Sequence, residues 1–395
     1  MLGRVDDARR GWLALQRELG QRLSVKLFDE VRGRPLDRAG MSWSLALAFL
    51  IATGVYAIGA VAGIVGVGLL LGPWSNLMVV FGGATLVLMC WIARPRTSEP
   101  PHYLISRAQS PVLYALSDRM AAKMGAPVLR GIGVSAEFNA NYRSASWRGH
   151  RYMELGSLLF AVLTPQERVA IIAHELSHGA NGDPLRGQFL FGAVDTLSEW
   201  AVSLRPVSIG NAGAGMSAGP FISLAAIPLE YALLGLSKAM FLIIEGVLLL
   251  VMRDAQRAEY RADQLAATVA GTAAMQSALE KLYLSDTVRA ALRTHSLTSP
   301  EAPFGPRLQQ AVAALDAQQL EAYRAESRAS NWQVDATHPP TVMRIEMLSQ
   351  GPPHPPMALL SDAEAEALAV EFERMIASTQ NEVMNRQREA INEGR

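Results

Sequence analysis

The chain has 395 residues, half of them hydrophobic and only 18% charged, with a mean hydropathy of +0.15. An ordinary soluble globule carries about a quarter charged residues, so this composition calls for a folded core plus a membrane region. Lys plus Arg and Asp plus Glu number 36 each, which excludes a global field for nucleic acid, and nucleic-acid binding is not expected. A single cysteine, Cys90, excludes an intramolecular disulfide and a thiolate metal cluster.

Residues 1–40 form a basic N-terminal segment carrying Arg4, Arg9, Arg10, Arg17, Arg22, Lys26, Arg32, Arg34 and Arg38. Within 6–31, Trp12, Leu15, Leu19, Leu23 and Leu27 recur at helical spacing. Such a helix either lies on a membrane surface or packs on a folded domain, and periodicity does not separate the two. Residues 39–93 contain no Asp, Glu, Lys, Arg or His, and Gly72-Pro73-Trp74-Ser75-Asn76 interrupts them near the middle. That pattern predicts a transmembrane helical hairpin over 41–95, with spans near 44–70 and 75–93, each close to the roughly 20 apolar residues that cross about 30 Å of hydrocarbon. Trp43, Trp74 and Trp91 stand where interfacial aromatics belong. Basic residues flank both outer ends and none lies in the turn, so both ends are expected on the cytoplasmic side. The apolar run starts too late and is too long for a cleavable signal peptide.

A globular piece follows over 97–204, with strand-like stretches at 128–135 and 151–155. A second apolar region occupies 205–252, either a second membrane hairpin or one long amphipathic helix. If 228–252 is helical with Pro228 in its first turn, Glu230, Lys238 and Glu245 share one face, which must turn away from lipid. Counting both regions gives about four spans. Residues 253–350 read as the second half of the same split globular domain. Residues 351–395 form a tail, helical over 360–395, with Leu368, Val370, Phe372 and Met375 as possible contacts.

The chemistry concentrates at Ala173-His174-Glu175-Leu176-Ser177-His178, preceded by the helix start Thr164-Pro165-Gln166-Glu167. On a helix, two histidines four residues apart project from one face and can share a tetrahedral Zn²⁺, leaving Glu175 beside the metal as a general base. Val169, Ala170, Ile171, Ile172 and Leu176 mark the helix as buried, where unpartnered histidines and an acid would be costly. A third protein ligand is needed. Glu259, Glu245 and Asp183 compete for that place; Glu259 has Asp263 one turn on, a pairing suited to ligand and supporting carboxylate.

Taken with Gly182-Asp183, with Glu259-x-x-x-Asp263 after an apolar segment, and with Thr337-His338-Pro339-Pro340 followed by Arg344, the sequence resembles the HtpX and CaaX-prenyl-protease family of zinc metallopeptidases, metallopeptidase family 48. The resemblance covers roughly 100–350. It implies a mainly α fold with a small β-sheet (α+β), a zincin-type metallopeptidase domain with transmembrane helices, Glu259 as third ligand and Asp263 orienting a ligand histidine. It also places a histidine such as His338 near the reacting centre as an oxyanion donor, with Arg344 bracing that loop. The chain departs from the family at Asn139-Ala140-Asn141-Tyr142, where relatives often carry Asn-Ala-Phe-Ala beside the substrate-binding edge strand.

The expectation is a membrane-bound zinc metalloendopeptidase, one Zn²⁺ per chain, acting on membrane or misfolded polypeptides from the cytoplasmic face of a bacterial inner membrane, with the lipid bilayer as a standing partner. A CaaX-type prenyl protease would need more spans. A non-catalytic metal-binding membrane scaffold would not need Glu175.

Overall fold

The computed structural model describes residues 22–37, 40–73, 76–95, 98–145, 149–205, 220–330 and 338–393. In chain order the named elements are α1 (Trp43–Leu71), α2 (Leu77–Ile92), β1 (Tyr103–Ile105), α3 (Pro111–Met124), β2 (Gly131–Ser135), β3 (Ala140–Ala145), β4 (His150–Gly156), α4 (Ser157–Val162), α5 (Pro165–Asn181), α6 (Asp183–Ser203), α7 (Pro220–Ala270), α8 (Thr272–Lys281), α9 (Ser285–Thr298), α10 (Phe304–Ala313), α11 (Ala317–Ser330), α12 (Thr341–Gln350), α13 (Asp362–Ser378) and α14 (Gln380–Asn392). The mainly helical chain with one small sheet is the expected fold class. It divides into two compact units: residues 1–40, 97–185 and 253–395, and residues 41–96 and 186–252.

The first unit is built on a four-stranded sheet of order β1-β2-β4-β3. β2 runs parallel to β4, while β1 and β3 pair antiparallel at the two edges. β2 and β4 fall at the strand-like stretches expected near 128–135 and 151–155; β1 and β3 were not expected. Register aligns Ile132 with Met153 and Val134 with Leu155, and all four are buried with Leu116 and Met120 of α3 and Ile172 and Leu176 of α5. Residues 22–31 are helical, and Leu27, Phe28 and Val31 are buried in this core, so the described part of the basic segment packs on the domain; residues 6–21 lie outside the described residues. The tail is two helices rather than one. Leu368, Phe372 and Met375 are buried as expected, whereas Val370 points outward because it falls off the face that α13 turns to the core.

In the second unit α1 and α2 pack closely through small residues. A methyl group on Gly63 would lie 2.6 Å from the Cys90 sulfur, and one on Gly66 2.7 Å from the Gly83 carbonyl oxygen, the close approach that small residues allow between apolar helices. The outer surface is apolar: Leu50, Ile58, Val61, Ile64, Leu71, Phe81 and Trp91 are exposed, and Trp43 is 93% exposed. Such surface is costly in water and favourable in lipid. α1 is long and apolar enough to cross a bilayer, as is Glu230–Ala270. The second arm of the hairpin is helical over only 16 residues, about 24 Å at 1.5 Å per residue, shorter than the expected span.

The second apolar region also differs from one of its two expected forms. α7 is a single helix of 51 residues rather than a hairpin, and Pro228 stands inside it rather than in its first turn. Its residues up to Met252 belong to the second unit and those from Arg253 to the first. The Gly/Ser-rich stretch at 210–219 lies outside the described residues.

The start of α5 is fixed by a capping box. The Thr164 side chain accepts from the Glu167 amide, and Glu167 accepts from the Thr164 amide at 2.7 Å. Glu167 also accepts from the Ser277 hydroxyl at 2.6 Å and from Lys281 at 3.0 Å. Burial opposes its charge, but these donors outweigh it and hold the carboxyl below its ordinary value. A folded-state pKa below the unfolded one gives stability that is present above the unfolded value and lost as pH falls through the folded one. Glu167→Gln should therefore cost about 1–3 kcal/mol near neutral pH. In thermal melts the gap between wild type and variant should close in acid, below the carboxylate range; a gap independent of pH would contradict the assignment.

Candidate metal centre

α5 carries the histidine pair on a helix buried along most of its length, from Glu167 to Ser177. His174 and His178 lie one turn apart, and their Nε2 atoms approach to 3.2 Å. From α7, Glu259 enters the same space, with one carboxylate oxygen 3.5 Å from His174 Nε2 and the other 3.4 Å from His178 Nε2. Among the described residues this trio is the one set of metal-type donors whose ligand atoms all lie within 4.8 Å of one another. Of the competing third ligands, Glu245 is not in the cluster; the side chain of Asp183 lies outside the described atoms.

Two observations test whether a metal fits. First, bonds of 2.0–2.1 Å in a tetrahedron put donors about 3.3–3.4 Å apart; the two imidazole nitrogens stand 3.2 Å apart, and each has one of the two Glu259 oxygens within 3.5 Å. Second, Glu175, Glu259 and Asp263 are all buried, and among the described residues the one buried cation beside them is Arg344. Two negative charges are thus left over if the imidazoles are neutral, which a divalent cation would balance. The same field acts on His174: burial disfavours its cation, yet Asp263 and Glu259 beside it raise its pKa to about 10. A proton takes up part of the charge that a metal would.

The supporting contacts set the tautomer. Asp263, one turn beyond Glu259, has a carboxylate oxygen 3.0 Å from His174 Nδ1, so Nδ1–H donates to it and Nε2 keeps its lone pair toward the centre. Arg344 on α12 grips Asp263 in a fork, Nε and Nη2 each donating at 2.7 Å. Burial lowers the pKa of this guanidinium, but the attraction of Asp263 prevails and raises it overall. Among the described residues, Arg344 thus holds Asp263. His338 itself is 63% exposed, with Nδ1 2.9 Å from Glu259, at the rim of the cluster. Sequence reasoning missed one neighbour: Tyr142 of β3 packs against Gly179, next to His178.

The sequence profile of Peptidase family M48 matches residues 108–351. The chain belongs to this family. Curated relatives agree. Over 293 residues it is 25% identical to a protein named Protease HtpX homolog from Pyrobaculum aerophilum, covering 70% of this chain and 74% of the relative. A Protease HtpX homolog from Pyrobaculum calidifontis is 29% identical over 251 residues, 61% of this chain and 68% of the relative. Protease HtpX of Pseudomonas putida is 28% identical over 174 residues, 40% and 54%. No solved structure matches the chain. Membership of an M48 metallopeptidase family makes the chain a metal-dependent peptidase and the histidine–glutamate trio its candidate metal site.

If Asp263 orients His174, Asp263→Asn should leave the ligand trio in place but lower metal affinity about 10–100-fold, measured by competition with a chelator of known affinity. Unchanged affinity would remove Asp263 from the metal's support.

Proposed function

We propose that the chain is a zinc-dependent endopeptidase of the membrane, HtpX-like, that cleaves membrane or misfolded proteins. The observation that carries this reading is the spacing of His174, His178 and Glu259 with the buried base candidate Glu175 on the same helix as the two histidines. Zinc held by the trio would lower the pKa of a water to about 7 and polarise the scissile carbonyl.

The protein's own groups divide the remaining work. Glu175 takes a proton from the attacking water and returns it to the leaving nitrogen. Asp263, gripped by Arg344, keeps His174 in the tautomer that leaves Nε2 free. His338, at the rim, is exposed enough to meet a substrate and donate to the developing oxyanion. β3 offers an edge for an extended peptide, the usual means of backbone capture by a sheet.

The exposed apolar surface of α1 and α2 supports insertion in a bilayer. The basic residues flanking the hairpin favour the cytoplasmic side of a bacterial inner membrane for the metal centre.

Glu175→Gln keeps the side-chain size but cannot accept the proton. It should retain zinc, measured by elemental analysis, and lose about 10²–10⁴-fold in kcat on an unfolded protein substrate. Cleavage at the wild-type rate by this variant would transfer the base to another group or remove the peptidase reading. Equal inertness of wild type and variant would favour a metal-binding scaffold.

A further inference from the structure

Two carboxylates of the metal centre, Glu259 and Asp263, come from α7, and each is followed at once by a residue that the N-terminal segment holds. Tyr260, after Glu259, is fully buried, and its ring stands 6.2 Å from that of Phe28. Gln264, after Asp263, is gripped by backbone groups. Its side-chain oxygen accepts from the Leu36 amide at 2.9 Å, and its nitrogen donates to the Arg34 carbonyl at 2.8 Å. The same nitrogen is 3.6 Å from the sulfur of Met347, about one turn along α12 from Arg344. Farther out, Arg253 pairs with Glu30 at 2.5 Å on the exposed surface. Leu27, Phe28 and Val31 anchor the helical residues 22–31 in the core. Gly33, with φ +67°, then turns the chain out of the helix, and Arg34 and Leu36 reach Gln264.

The held residues lie on one stripe of α7. Arg253, Tyr260 and Gln264 fall at i, i+7 and i+11, within about 40° of one another round the axis. Glu259 and Asp263 lie about 100° from their held neighbours, on the side that meets His174 and His178. Contacts along a stripe beside the ligands fix how far α7 is turned about its axis. A carboxylate about 5–6 Å from that axis moves by about 1 Å when the helix turns by about 10°. A metal site needs its donors placed to within about 0.5 Å, and the histidines on α5 do not follow a turn of α7. The family profile starts at residue 108, so the segment making these contacts lies outside it.

We propose that Phe28 and Gln264 are positioning residues of the metal centre: through them, residues 22–37 clasp α7 and set the rotation at which Glu259 meets the metal and Asp263 meets His174. The inference rests on the metal-site reading and deepens it. Part of what orders the centre is supplied by the N-terminal segment.

The test uses the full-length protein in detergent and two readouts that need no turnover: zinc affinity, by competition with a chelator of known affinity, and the visible absorption of the Co²⁺-loaded protein, which reports ligand geometry. Gln264→Ala removes both clasp bonds and is expected to weaken zinc binding at least about fivefold and to change the Co²⁺ spectrum. Phe28→Leu, which keeps an apolar side chain in the core, should shift both readouts in the same direction. Leu308→Ala on α10 empties a fully buried position of the same core. It should lower the melting temperature at least as much as either, yet leave zinc affinity and the Co²⁺ spectrum as in wild type. Wild-type affinity and spectrum in both Gln264→Ala and Phe28→Leu would overturn the proposal while leaving the metal site intact. An equal loss of affinity in Leu308→Ala would also overturn it, since the effect would then be one of overall stability. Zinc binding unchanged by His174→Ala would overturn the metal-site reading itself, and the clasp with it.

Discussion

Three carboxylates buried around one arginine form the constraint on which the rest of the first unit depends. Glu175, Glu259 and Asp263 come from two helices, and Arg344, from a third, neutralises only part of their charge. Isolated charges of this kind are not tolerated in a protein interior unless they are paired, hydrogen-bonded or coordinated to metal. The arrangement makes sense around a cation. Two of the three carboxylates also have specific opposite groups. Asp263 has the Arg344 fork, and Glu259 has His338 at 2.9 Å and Arg344 at 3.4 Å.

The apolar elements follow a different rule. Along α1 the buried face is mostly small, with Ala48, Ala52, Gly59, Gly63 and Gly66 beside Leu45 and Val55, while Leu50, Ile58, Val61, Ile64 and Leu71 of the same helix stay exposed. A soluble protein does the reverse and buries its large side chains. Small residues inside and large ones outside are the pattern expected when the surroundings are as apolar as the side chains and only close packing holds helices together.

Local patterns were legible in the sequence to the extent that their partners lie within a few residues. The histidine pair, Glu175, the start of α5 after Thr164 and the hairpin arm α1 all depend on neighbours within a few residues or on an unbroken apolar run, and the structure shows them where the sequence put them. The third ligand could not be fixed by the same means. Glu259 lies 81 residues beyond His178, and Glu245 on the same helix offers the same chemistry; only the path of α7 sets them apart. The form of 205–252 was open for a related reason. Proline inside a helix removes one hydrogen bond and costs about 3 kcal/mol, which makes a helix start at Pro228 the simpler reading, whereas α7 in fact begins at Pro220. β3 was unreadable because Ala140, Asn141, Arg143 and Ser144 have little strand preference of their own, and the strand exists through its pairing with β4.

The residues of the site share an unfavourable effect on folding. Buried carboxylates and a glycine within α5 each weaken the fold when taken alone. Surrounding them are elements that do the opposite: the apolar core of α3, α5 and the sheet, and the cap at Thr164 and Glu167. Strain of this sort persists only where surrounding structure over-determines it, so the distribution of unfavourable groups is itself informative. One such group is formed by α5 and the segment facing it, Glu259–Asp263. Elsewhere in the first unit buried carboxylates have several specific donors, as Glu167 has Ser277 and Lys281 and Glu371 has the Val112 and Leu113 amides. A fold arranged for stability alone would put leucine at Glu175, whereas a buried acid one residue from His174 is what the proposed chemistry asks for.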